Sequence, residues 1–433
     1  MASEHLSGER APDPGAGRRS IAGDNRGAAP LRLVFLCHPG FKRSQSMPRF
    51  ARLLSEACRA RGHEVEVWTP RARAHRLWPW QRGRKWAGYV DEYLIFPLEV
   101  RRARRRQPAD TLFVFCDQAL GPWVPLLAHR PHVVHVHDLL ALRSALGDIP
   151  EHRTGLSGRL YQRLIRRGFR RARHFISVSR QTRAELHRFG GIAAVTSEVI
   201  YHGLNYPFTP LAPAAVEQRL RAARLEPPPG GYLLHVGGGQ WYKNLRGVVL
   251  LYAAFARMQP GPPALWCVSP PPGAAVRAAL AQVPPAGRVE FLGPVTAPTL
   301  HALYAGARAL LFPSLAEGFG WPIIEAQACG CPVLTTDAPP MSEIAGPAAV
   351  RLPRLEPHAD VLAWAQGSAR TLAELLAEAP AARDRRRDEA LRWAARFDTA
   401  RAVEAYLGIY RHVLAAQGRE PLGTPALGGG PVP

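Results

Sequence analysis

The sequence predicts an α/β protein with two domains, each built on a doubly wound parallel sheet. Short apolar runs alternate with amphipathic segments in two successive series, and each series opens with a strand, a glycine-containing loop and a helix. A proline-rich stretch, PFTPLAPAAVEQ, lies between the two series and indicates a linker at about residues 203–213. With 433 residues, 47% of them hydrophobic, the chain can form two ordinary cores.

The first series starts with the apolar strand LRLVFLCHP (31–39) and continues into a helix in which Phe50 and Leu54 recur at helical spacing. The runs EVEVWTP, TLFVFCD, HVVHVHD and HFISVS predict further buried strands, and EVIYHGLNYPF (198–208) is expected to end the sheet. Ser179 is placed to cap the helix that follows HFISVS.

Polar residues follow two strands of this series. Gly40, with Lys42 and Arg43, comes after the first strand and either faces an anion or forms a plain connection. His137 and Asp138 end HVVHVHD, at the edge where open α/β sheets bind ligands. A histidine after a strand is often structural, but this position favours a functional role for His137.

The second series contains the strands GGYLLHV, ALWCVSP, RVEFLGPV, ALLFPS and CPVLTTD, and from Ala359 it is mostly helical. After GGYLLHV, three consecutive glycines (237–239) let a ligand approach the backbone, and Lys243 can reach a phosphate as a point charge. This loop has neither the G-x-G-x-x-G spacing of a dinucleotide site nor the sequence of a P-loop.

The most informative stretch is residues 307–337, ARALLFPSLAEGFGWPIIEAQACGCPVLTTD. It predicts a strand, a glycine-rich loop, a short helix and another strand. Gly318 and Gly320 allow a tight turn, and Pro322 suits the first position of a helix. The N-terminus of that helix presents free N–H groups and a positive partial charge, so it suits a phosphate.

Two glutamates accompany this loop. Glu317 lies in the loop and Glu325 is expected on the first turn of the helix, so both carboxylates would sit at the mouth of a pocket where the strands end. A carboxylate accepts two sugar hydroxyls, and two carboxylates beside a phosphate site indicate a nucleotide sugar. The alternative is two solvent-facing residues, of which the second only suits the helix dipole; it explains neither the glycines nor Lys243.

Composition excludes several classes of protein. No apolar run is long enough for a membrane-spanning helix, and the N-terminus lacks the apolar segment of a signal peptide. Residues 1–29 and 418–433 are rich in Gly, Pro and Ala and are expected to be disordered. The six cysteines lack zinc-ligand spacing and are expected to be reduced core thiols of a cytoplasmic protein, and no DxD-type motif calls for a metal.

Positive charge is concentrated in the first half of the chain. Residues 1–200 carry a net charge of +18 out of a total of +22. This half could bind nucleic acid, an anionic membrane or an acidic substrate, or its arginines are simply solvated. Trp78, Trp80 and Trp86 lie among arginines and favour an interfacial surface, although a helix that packs these rings on the sheet would have the same sequence pattern. A nucleic-acid partner rests on charge alone and is not expected.

The segments HVGGGQWYKN, FLGPV and EGFGWPIIEAQACGCPV resemble the retaining glycosyltransferases of the large family 4, which have a GT-B fold. Glu317 and Glu325 meet the Glu-x7-Glu spacing of that family, and VHDLLALR, ARHFISVSRQTRAEL and IYHGLN resemble its N-terminal domain and linker. The resemblance implies an acceptor-binding domain (30–205), a nucleotide-sugar-binding domain (206–402) that faces it across a cleft, and a crossover helix (403–417) that returns to the first domain.

The resemblance also implies roles for individual residues. Lys243 would hold the diphosphate and Glu325 the ribose hydroxyls, while Glu317 would contact the transferred sugar. His137 would approach the donor sugar from the other domain. Backbone groups that would complete the donor site belong to Gly318, Phe319 and Gly320 and, against the base, to Val295.

The chain departs from the family at one place. Many relatives carry an arginine shortly before the lysine, where this chain has Gly238, Gly239 and Gln240. Lys243 would then be the main phosphate cation, unless Arg246 or basic residues of the N-terminal domain contribute. Gly238, Gly239 and Gln240 are expected to bind the donor.

The reaction implied is transfer of a sugar from a nucleoside diphosphate to an acceptor hydroxyl with retention of configuration, in envelope, capsule or lipid-linked glycan biosynthesis. No cofactor is expected beyond the nucleotide-sugar donor. The expected partners are a glycan or lipid-linked acceptor and an anionic surface on the inner face of the cytoplasmic membrane. The alternatives are a non-catalytic nucleotide-sugar-binding protein and an epimerase-like or phosphorylase-like enzyme of the same fold.

Overall fold

The computed structural model describes residues 29–41, 46–78 and 83–417 of the chain. In these ranges the strands form two six-stranded sheets, and every strand pairing is parallel. The fold class predicted from the sequence, two doubly wound parallel-sheet domains, is confirmed. The first sheet consists of β1 (Arg32–Leu36), β2 (Glu64–Trp68), β3 (Leu112–Phe115), β4 (His132–Val136), β5 (His174–Ser177) and β6 (Thr196–Val199). The second consists of β7 (Tyr232–Val236), β8 (Ala264–Val268), β9 (Val289–Phe291), β10 (Leu310–Phe312), β11 (Val333–Thr336) and β12 (Val350–Leu352).

Helices connect the strands and cover the sheets. In the first half they are α1 (Ser46–Arg59), α2 (Ala74–Leu77), α3 (Arg84–Val90), α4 (Phe96–Ala103), α5 (Leu140–Leu146), α6 (Leu156–Phe169) and α7 (Arg180–Glu185), with a π turn at Asp91–Ile95 between α3 and α4. In the second half they are α8 (Pro213–Ala222), α9 (Leu245–Met258), α10 (Ala274–Leu280), α11 (Ala297–Gly306), α12 (Trp321–Ala328), α13 (Met341–Ala345), α14 (Val361–Ala377), α15 (Pro380–Ala394) and α16 (Thr399–Gln417).

Both faces of the first sheet are buried, which explains why its strands are continuous apolar runs. In β1, Val34 and Leu36 belong to the core shared with α4 and α6, whereas Leu33 and Phe35 belong to the core shared with α1 and α16. Tyr410 of α16 is fully buried in that second core. The last helix of the chain therefore packs on the first sheet, and it begins at Thr399 rather than at residue 403.

The two sheets differ in strand order. The first has the order β2-β1-β3-β4-β5-β6, so the order reverses between β1 and β3. The second has the order β12-β11-β10-β7-β8-β9, so it reverses between β7 and β10. Open parallel sheets bind ligands at the C-terminal ends of their strands, next to such a reversal. The loops after β1, β3, β7 and β10 therefore hold the positions most suited to ligands.

Several details differ from the sequence predictions. The linker region leads into α8 at Pro213, a helix that was not predicted. A proline at the start of a helix costs no backbone hydrogen bond, so the proline-rich composition of this stretch does not prevent a helix. The last strand is shorter than the run 198–208, because only Thr196–Val199 pairs with β5. The predictions on Lys42, Arg43, Trp80 and the disordered terminal segments lie outside the described residues.

All six cysteines are buried free thiols, as predicted for core residues. The sulfur atoms of Cys37 and Cys116 lie 3.6 Å apart, where β1 and β3 end. None of the helices in the described ranges combines the length and the apolar composition that crossing a bilayer requires.

Candidate active site

The loops after β7 and β10 meet at the reversal point of the second sheet. Lys243 ends a 3-10 turn, Trp241–Lys243, and its Nζ lies 2.7 Å from Oε1 of Glu317. Both side chains are largely buried, with 14% and 8% of their surface exposed. Removing one partner of such a pair leaves an uncompensated buried charge, so each charge stabilises the other.

The glycine loop after β7 lies against Lys243. A Cβ added to Gly237 would be 3.3 Å from Cδ of Lys243. The side chain of Gln240 folds over Gly238, and a Cβ added to Gly238 would lie 2.2 Å from Oε1 of Gln240. A Cβ added to Gly239 would have its nearest neighbour at 3.3 Å. A side chain at Gly238 would therefore displace Gln240, and one at Gly237 would press against His235 and Lys243.

Two buried polar atoms beneath these loops have no hydrogen-bond partner among the described residues, Nε2 of His235 and Oγ of Ser314. Nδ1 of His235 lies 2.9 Å from the carbonyl oxygen of Leu311, to which it donates, so Nε2 is an acceptor. Burial, opposed by that hydrogen bond and assisted by Lys243, lowers the pKa of His235 to about 4, so the ring is neutral at pH 7. Neither residue was predicted, because a polar residue inside an apolar strand gives no separate signal.

Glu325 lies in the second turn of α12, and its predicted place in the first turn is wrong because the helix starts at Trp321. The side chain is buried, and the Tyr304 hydroxyl donates to its Oε2 at 2.9 Å. Burial raises the pKa of Glu325, while the Tyr304 hydroxyl and the charge of Arg49, on α1 of the first domain, oppose the rise. Tyr304 thus fixes the Glu325 carboxylate, and the positive charge of Arg49 in the other domain favours its ionised form.

Gly318 forms a close contact between the two domains. Its carbonyl oxygen accepts hydrogen bonds from Oγ of Ser179 at 2.8 Å and from Oγ1 of Thr182 at 3.1 Å. A Cβ on Gly318 would lie 1.8 Å from the carbonyl oxygen of His137, so only glycine fits. Ser179 also caps α7 as predicted, since its Oγ accepts from the backbone N–H of Thr182.

The remaining predicted donor residues lie around this contact. Gly320 has a φ of 103°, a left-handed conformation that favours glycine, and it turns the chain into α12. Phe319 is buried, and its ring packs edge-on against His202 with 5.1 Å between centroids. Val295 follows β9 and is partly buried against the core of the second domain. The donor contacts of these three residues stay predictions.

Both ring nitrogens of His137 are hydrogen-bonded within the protein. Nε2 lies 2.8 Å from the carbonyl oxygen of Cys116, which can only accept, so Nε2 carries the proton. Nδ1 then accepts from Nε2 of His202 at 3.2 Å. Burial lowers the pKa of both rings, so both are neutral at pH 7. His137 therefore touches the loop at Gly318 through its backbone, and the predicted contact of its side chain with the sugar stays a prediction.

His202, which was not predicted, joins several parts of the site. It lies on the chain segment that leads from the first domain to the second, and its ring stacks on Trp321 with 4.6 Å between centroids. Trp321 in turn donates from Nε1 to the carbonyl oxygen of Gly203 at 3.2 Å. A buried histidine inside IYHGLN gives no pattern that would distinguish this role from ordinary packing.

The reversal point of the first sheet also carries a hydrogen-bonded pair of side chains. His38 follows β1 and Asp117 follows β3, and Nε2 of His38 lies 2.8 Å from Oδ2 of Asp117. Burial acts to raise the pKa of Asp117, but the hydrogen bond and the charge of His38 outweigh it and lower the pKa. The sequence did not predict this pair. The available signal was a polar residue at the ends of two strands that a doubly wound order makes adjacent.

Asp138 lies between the two pairs. Burial, assisted by the negative charges of Asp117 and Glu317 among others, raises the pKa of Asp138 to about 7. A Cβ added to Gly318 would lie 2.9 Å from the Cβ of Asp138, so the Asp138 side chain lies at the contact between the domains. It titrates near neutral pH.

These groups can bind a phosphate beside a sugar. An ammonium group and backbone N–H groups bind phosphate oxygens, and carboxylates accept hydrogen bonds from sugar hydroxyls. Within the described ranges, no group of three or more His, Cys, Asp and Glu side chains is arranged to hold a metal ion.

Two family models match the chain. The model described as Glycosyltransferase Family 4 matches residues 47–206, and the one described as Glycosyl transferases group 1 matches residues 231–374. The first match covers β2 to β6 and the second covers β7 to β12, so each domain is matched in its own right.

Curated relatives match parts of the chain. It is 27% identical over 241 residues to O-antigen chain mannosyltransferase B of Escherichia coli, which covers 53% of this chain and 62% of that protein. It is 46% identical over 57 residues to O-antigen chain mannosyltransferase RfbU of Salmonella typhimurium, which covers 13% of this chain and 16% of that protein. The chain thus spans less than two thirds of the length of these relatives.

Solved structures match nearly the whole fold. Sucrose-phosphate synthase from Thermosynechococcus elongatus has a TM-score of 0.67 at 20% identity, over 89% of this chain and all of that one. WaaG, a glycosyltransferase involved in lipopolysaccharide biosynthesis, has a TM-score of 0.65 at 17% identity, over 87% of this chain and 99% of that one. At such identities the similarity is one of fold, and the shared fold is GT-B.

Proposed function

The chain belongs to the group 1 glycosyltransferases of family 4, and from this we propose that it transfers a sugar from a nucleoside diphosphate to an acceptor hydroxyl. The observation that carries the proposal is the 2.7 Å contact of Lys243 with Glu317 at the reversal point of the second sheet. It brings a cation for phosphate and a carboxylate for sugar hydroxyls to one position, as a molecule with a phosphate beside a sugar requires.

Donor binding would exchange the partners of this pair. A diphosphate competes with Glu317 for the ammonium group of Lys243, and the released carboxylate then accepts hydrogen bonds from the transferred sugar. Glu325, whose orientation Tyr304 fixes, would bind the ribose hydroxyls. Each charge-assisted hydrogen bond of this kind is worth about 1.5–3 kcal/mol. The exchange makes recognition of the phosphate and recognition of the sugar depend on each other.

Cleavage of the anomeric C–O bond leaves negative charge on the diphosphate and positive charge on the sugar. Lys243 and the N-terminus of α12 would stabilise the diphosphate, and one such preorganised contact is worth on the order of 3 kcal/mol. The acceptor oxygen would form the new bond on the face that the diphosphate leaves, and its proton would pass to the departing phosphate oxygen. Configuration at the anomeric carbon is then retained.

We infer a hexose donor and a glycan or lipid-linked acceptor in envelope glycan biosynthesis, with the enzyme on the cytoplasmic side of the membrane. The inference draws on the names of the two curated relatives, both O-antigen chain mannosyltransferases, and on WaaG. An acceptor anchored in a bilayer also requires an enzyme that works at the bilayer surface.

The test begins with a thermal-shift screen of UDP-, GDP- and ADP-sugars against the purified chain. The stabilising donor is then incubated with lipid-linked acceptor extracts, and release of nucleoside diphosphate and the anomeric configuration of the product are measured. Transfer with retention supports the proposal, and an inverted product contradicts the mechanism. Binding without turnover would indicate a nucleotide-sugar-binding protein. An epimerised sugar would indicate an epimerase-like enzyme, and a phosphorolysed sugar would indicate a phosphorylase-like enzyme.

A further inference from the structure

We propose that one face of the first domain docks on an anionic membrane by inserting a double row of apolar side chains bordered by arginines. The inference rests on the proposed function only for the membrane-anchored acceptor. The face itself is defined by the exposure and the charge of its residues. The docking face is made by α3, the π turn, α4 and α6, and its apolar members are Trp86, Val90, Leu94, Leu98, Leu156, Leu160 and Leu164.

Large apolar side chains are exposed almost entirely on the first domain. Among the described residues, twelve of the fourteen that are exposed precede the linker, and the two in the second domain, Met258 and Leu362, stand alone. Single exposed apolar residues are ordinary, whereas a contiguous group on a protein surface marks an interaction site. The difference between the domains therefore needs an explanation.

The first row runs along α3, the π turn and α4 with a spacing of four residues. A four-residue step in an α-helix turns about 40° beyond a full turn, so such a row would drift away from the face. The π turn at Asp91–Ile95 holds more residues in each turn and offsets this drift. The exposed fractions along the row are 71% for Trp86, 39% for Val90, 63% for Leu94 and 50% for Leu98.

The second row lies on α6, beside the first. The hydroxyl groups of Tyr93 in the π turn and Tyr161 in α6 are 2.6 Å apart. Leu94 follows Tyr93 and Leu160 precedes Tyr161, so both rows border the same contact. The exposed fractions on α6 are 81% for Leu156, 59% for Leu160 and 48% for Leu164. The two rows therefore flank the same tyrosine contact.

Exposed arginines border the second row. Arg159, Arg163 and Arg167 are exposed along α6 with the same four-residue spacing as its leucines. That helix contains no acidic residue. The apolar row therefore has a parallel row of positive charge beside it.

The acidic residues of the first row are turned away from the face. Asp91 and Glu92 are only 1% and 2% exposed. Asp91 accepts hydrogen bonds from three backbone N–H groups at the start of α2, at 2.8 to 3.1 Å. Glu99 is paired with Arg73. Across α3, the π turn, α4 and α6, the charge left on the surface is thus positive.

The structure also corrects the surface expected from the sequence. Trp86 is 71% exposed, so the alternative in which it packs on the sheet is wrong. Arg104, in the arginine-rich run that ends α4, donates to the carbonyl oxygen of Leu126 and contacts His129, so it holds a loop. The leucines, which were not predicted, supply most of the apolar surface.

An anionic lipid leaflet fits this face better than the other partners that charge would allow. Leucine and tryptophan enter the boundary between headgroups and acyl chains, and arginine binds the phosphates above it. Nucleic acid would bind the arginines, but it offers no apolar surface on which the leucines could be buried. A second copy of the chain would bring like charges together across a symmetric interface.

The test is co-sedimentation of the full chain with vesicles of phosphatidylglycerol and phosphatidylcholine. The chain should bind vesicles with a high phosphatidylglycerol content at low salt, bind more weakly at high salt, and ignore pure phosphatidylcholine. The variant Leu94→Gln, Leu160→Gln, Leu164→Gln should lose at least about tenfold in apparent affinity, and so should Arg159→Gln, Arg163→Gln, Arg167→Gln. The replaced side chains are exposed, so the fold is expected to persist.

Control variants make the same kinds of substitution on the second domain, at one leucine and at three arginines. Leu362→Gln, and separately Arg383→Gln, Arg385→Gln, Arg392→Gln on the exposed surface of α15, should bind vesicles as the unaltered chain does. Equal losses in these controls would show unspecific attraction by net charge and overturn the proposal. A chain that stays in the supernatant with anionic vesicles at low salt would overturn it too. So would leucine variants that bind vesicles as the unaltered chain does and differ from it only in the sedimentation coefficient measured without vesicles.

Nucleoside diphosphate affinity, measured in parallel, separates this proposal from the proposed function. Variants of the docking face should keep that affinity. A chain that uses a nucleotide sugar but ignores vesicles contradicts only the docking, and a chain that binds vesicles but uses no nucleotide sugar contradicts only the proposed function.

Discussion

Each domain carries a hydrogen-bonded pair of side chains at the point where its strand order reverses, but the two pairs differ in chemistry. In the second domain the pair is Lys243 with Glu317, and in the first it is His38 with Asp117. Lysine is in general a permanent cation near neutral pH, which suits a diphosphate. An imidazole beside a carboxylate can donate and accept hydrogen bonds, which suits a hydroxyl group. We therefore expect the same topological position to bind a different kind of ligand group in each domain.

The difference between the two pairs indicates that each domain binds a different substrate. The reversal points arise from different strand orders, yet both bring the loops after two non-consecutive strands together. The pair in the second domain would bind the donor, and the pair in the first would orient the acceptor hydroxyl. Gly318 joins the two halves, because its carbonyl oxygen is bonded to the first domain.

Replacing Lys243 should have the largest effect on catalysis. Lys243→Ala removes the charge that faces the diphosphate, so kcat/KM should fall at least about tenfold, in line with the 1.5–3 kcal/mol of a charge-assisted contact. Calorimetry should show weaker binding of the free nucleoside diphosphate. Arg246→Ala, an exposed cation three residues further along, is the matched control and should change little.

Stability distinguishes this loss of binding from a loss of structure. Lys243→Ala leaves Glu317 buried without its partner, so Tm should also fall. The double variant Lys243→Met, Glu317→Gln should regain most of the Tm but not the activity. Unchanged diphosphate affinity in Lys243→Ala would contradict the assignment and move the role to Arg246 or to the first domain.

Replacing the pair in the first domain should affect the acceptor and spare the donor. Asp117→Asn and His38→Gln should each raise the acceptor KM about tenfold, which is the cost of about one charged hydrogen bond. Affinity for the nucleoside diphosphate should stay within about twofold of the unaltered chain. If it falls as far as in Lys243→Ala, the two pairs do not divide donor from acceptor, and the comparison fails.

The two glutamates should separate within the second domain, with smaller effects. Glu325→Gln keeps the shape but loses the charge that we propose binds the ribose diol, so it should weaken binding of both the free nucleotide and the donor several-fold. Glu317→Gln should spare the free nucleotide and lower turnover of the nucleotide sugar. Binding and turnover assays on both variants check this, and equal losses of nucleotide affinity would show that their roles are shared.

The sequence predicted the fold class because apolar runs, glycine loops and helix starts are local signals. It also predicted which loops carry Lys243 and Glu317, but not that they touch, since that contact depends on β10 lying beside β7. The same limit applies to His38 and Asp117, which are 79 residues apart and meet only because β1 pairs with β3. The leucine rows were missed because exposure is a property of packing, and the pattern of an exposed row resembles that of a buried one.

Asp138 should have the smallest effect on catalysis but shows whether the two pairs share one site. Its pKa of about 7, against 3.8 in an ordinary aspartate, arises from burial and from the charges of Asp117 and Glu317, among others. Between these pH values the folded chain binds more protons than the unfolded chain, so this group lowers the free energy of unfolding as pH rises to about 7. Asp138→Asn removes this decrease in stability. As the pH is raised from 5 to 8, the free energy of unfolding of the variant, measured by urea denaturation, should therefore rise relative to that of the unaltered chain by on the order of 1–3 kcal/mol. Asp384→Asn, on the exposed surface of α15, should show no such change. A difference that is the same at both pH values would mean that Asp138 is not held between the pairs.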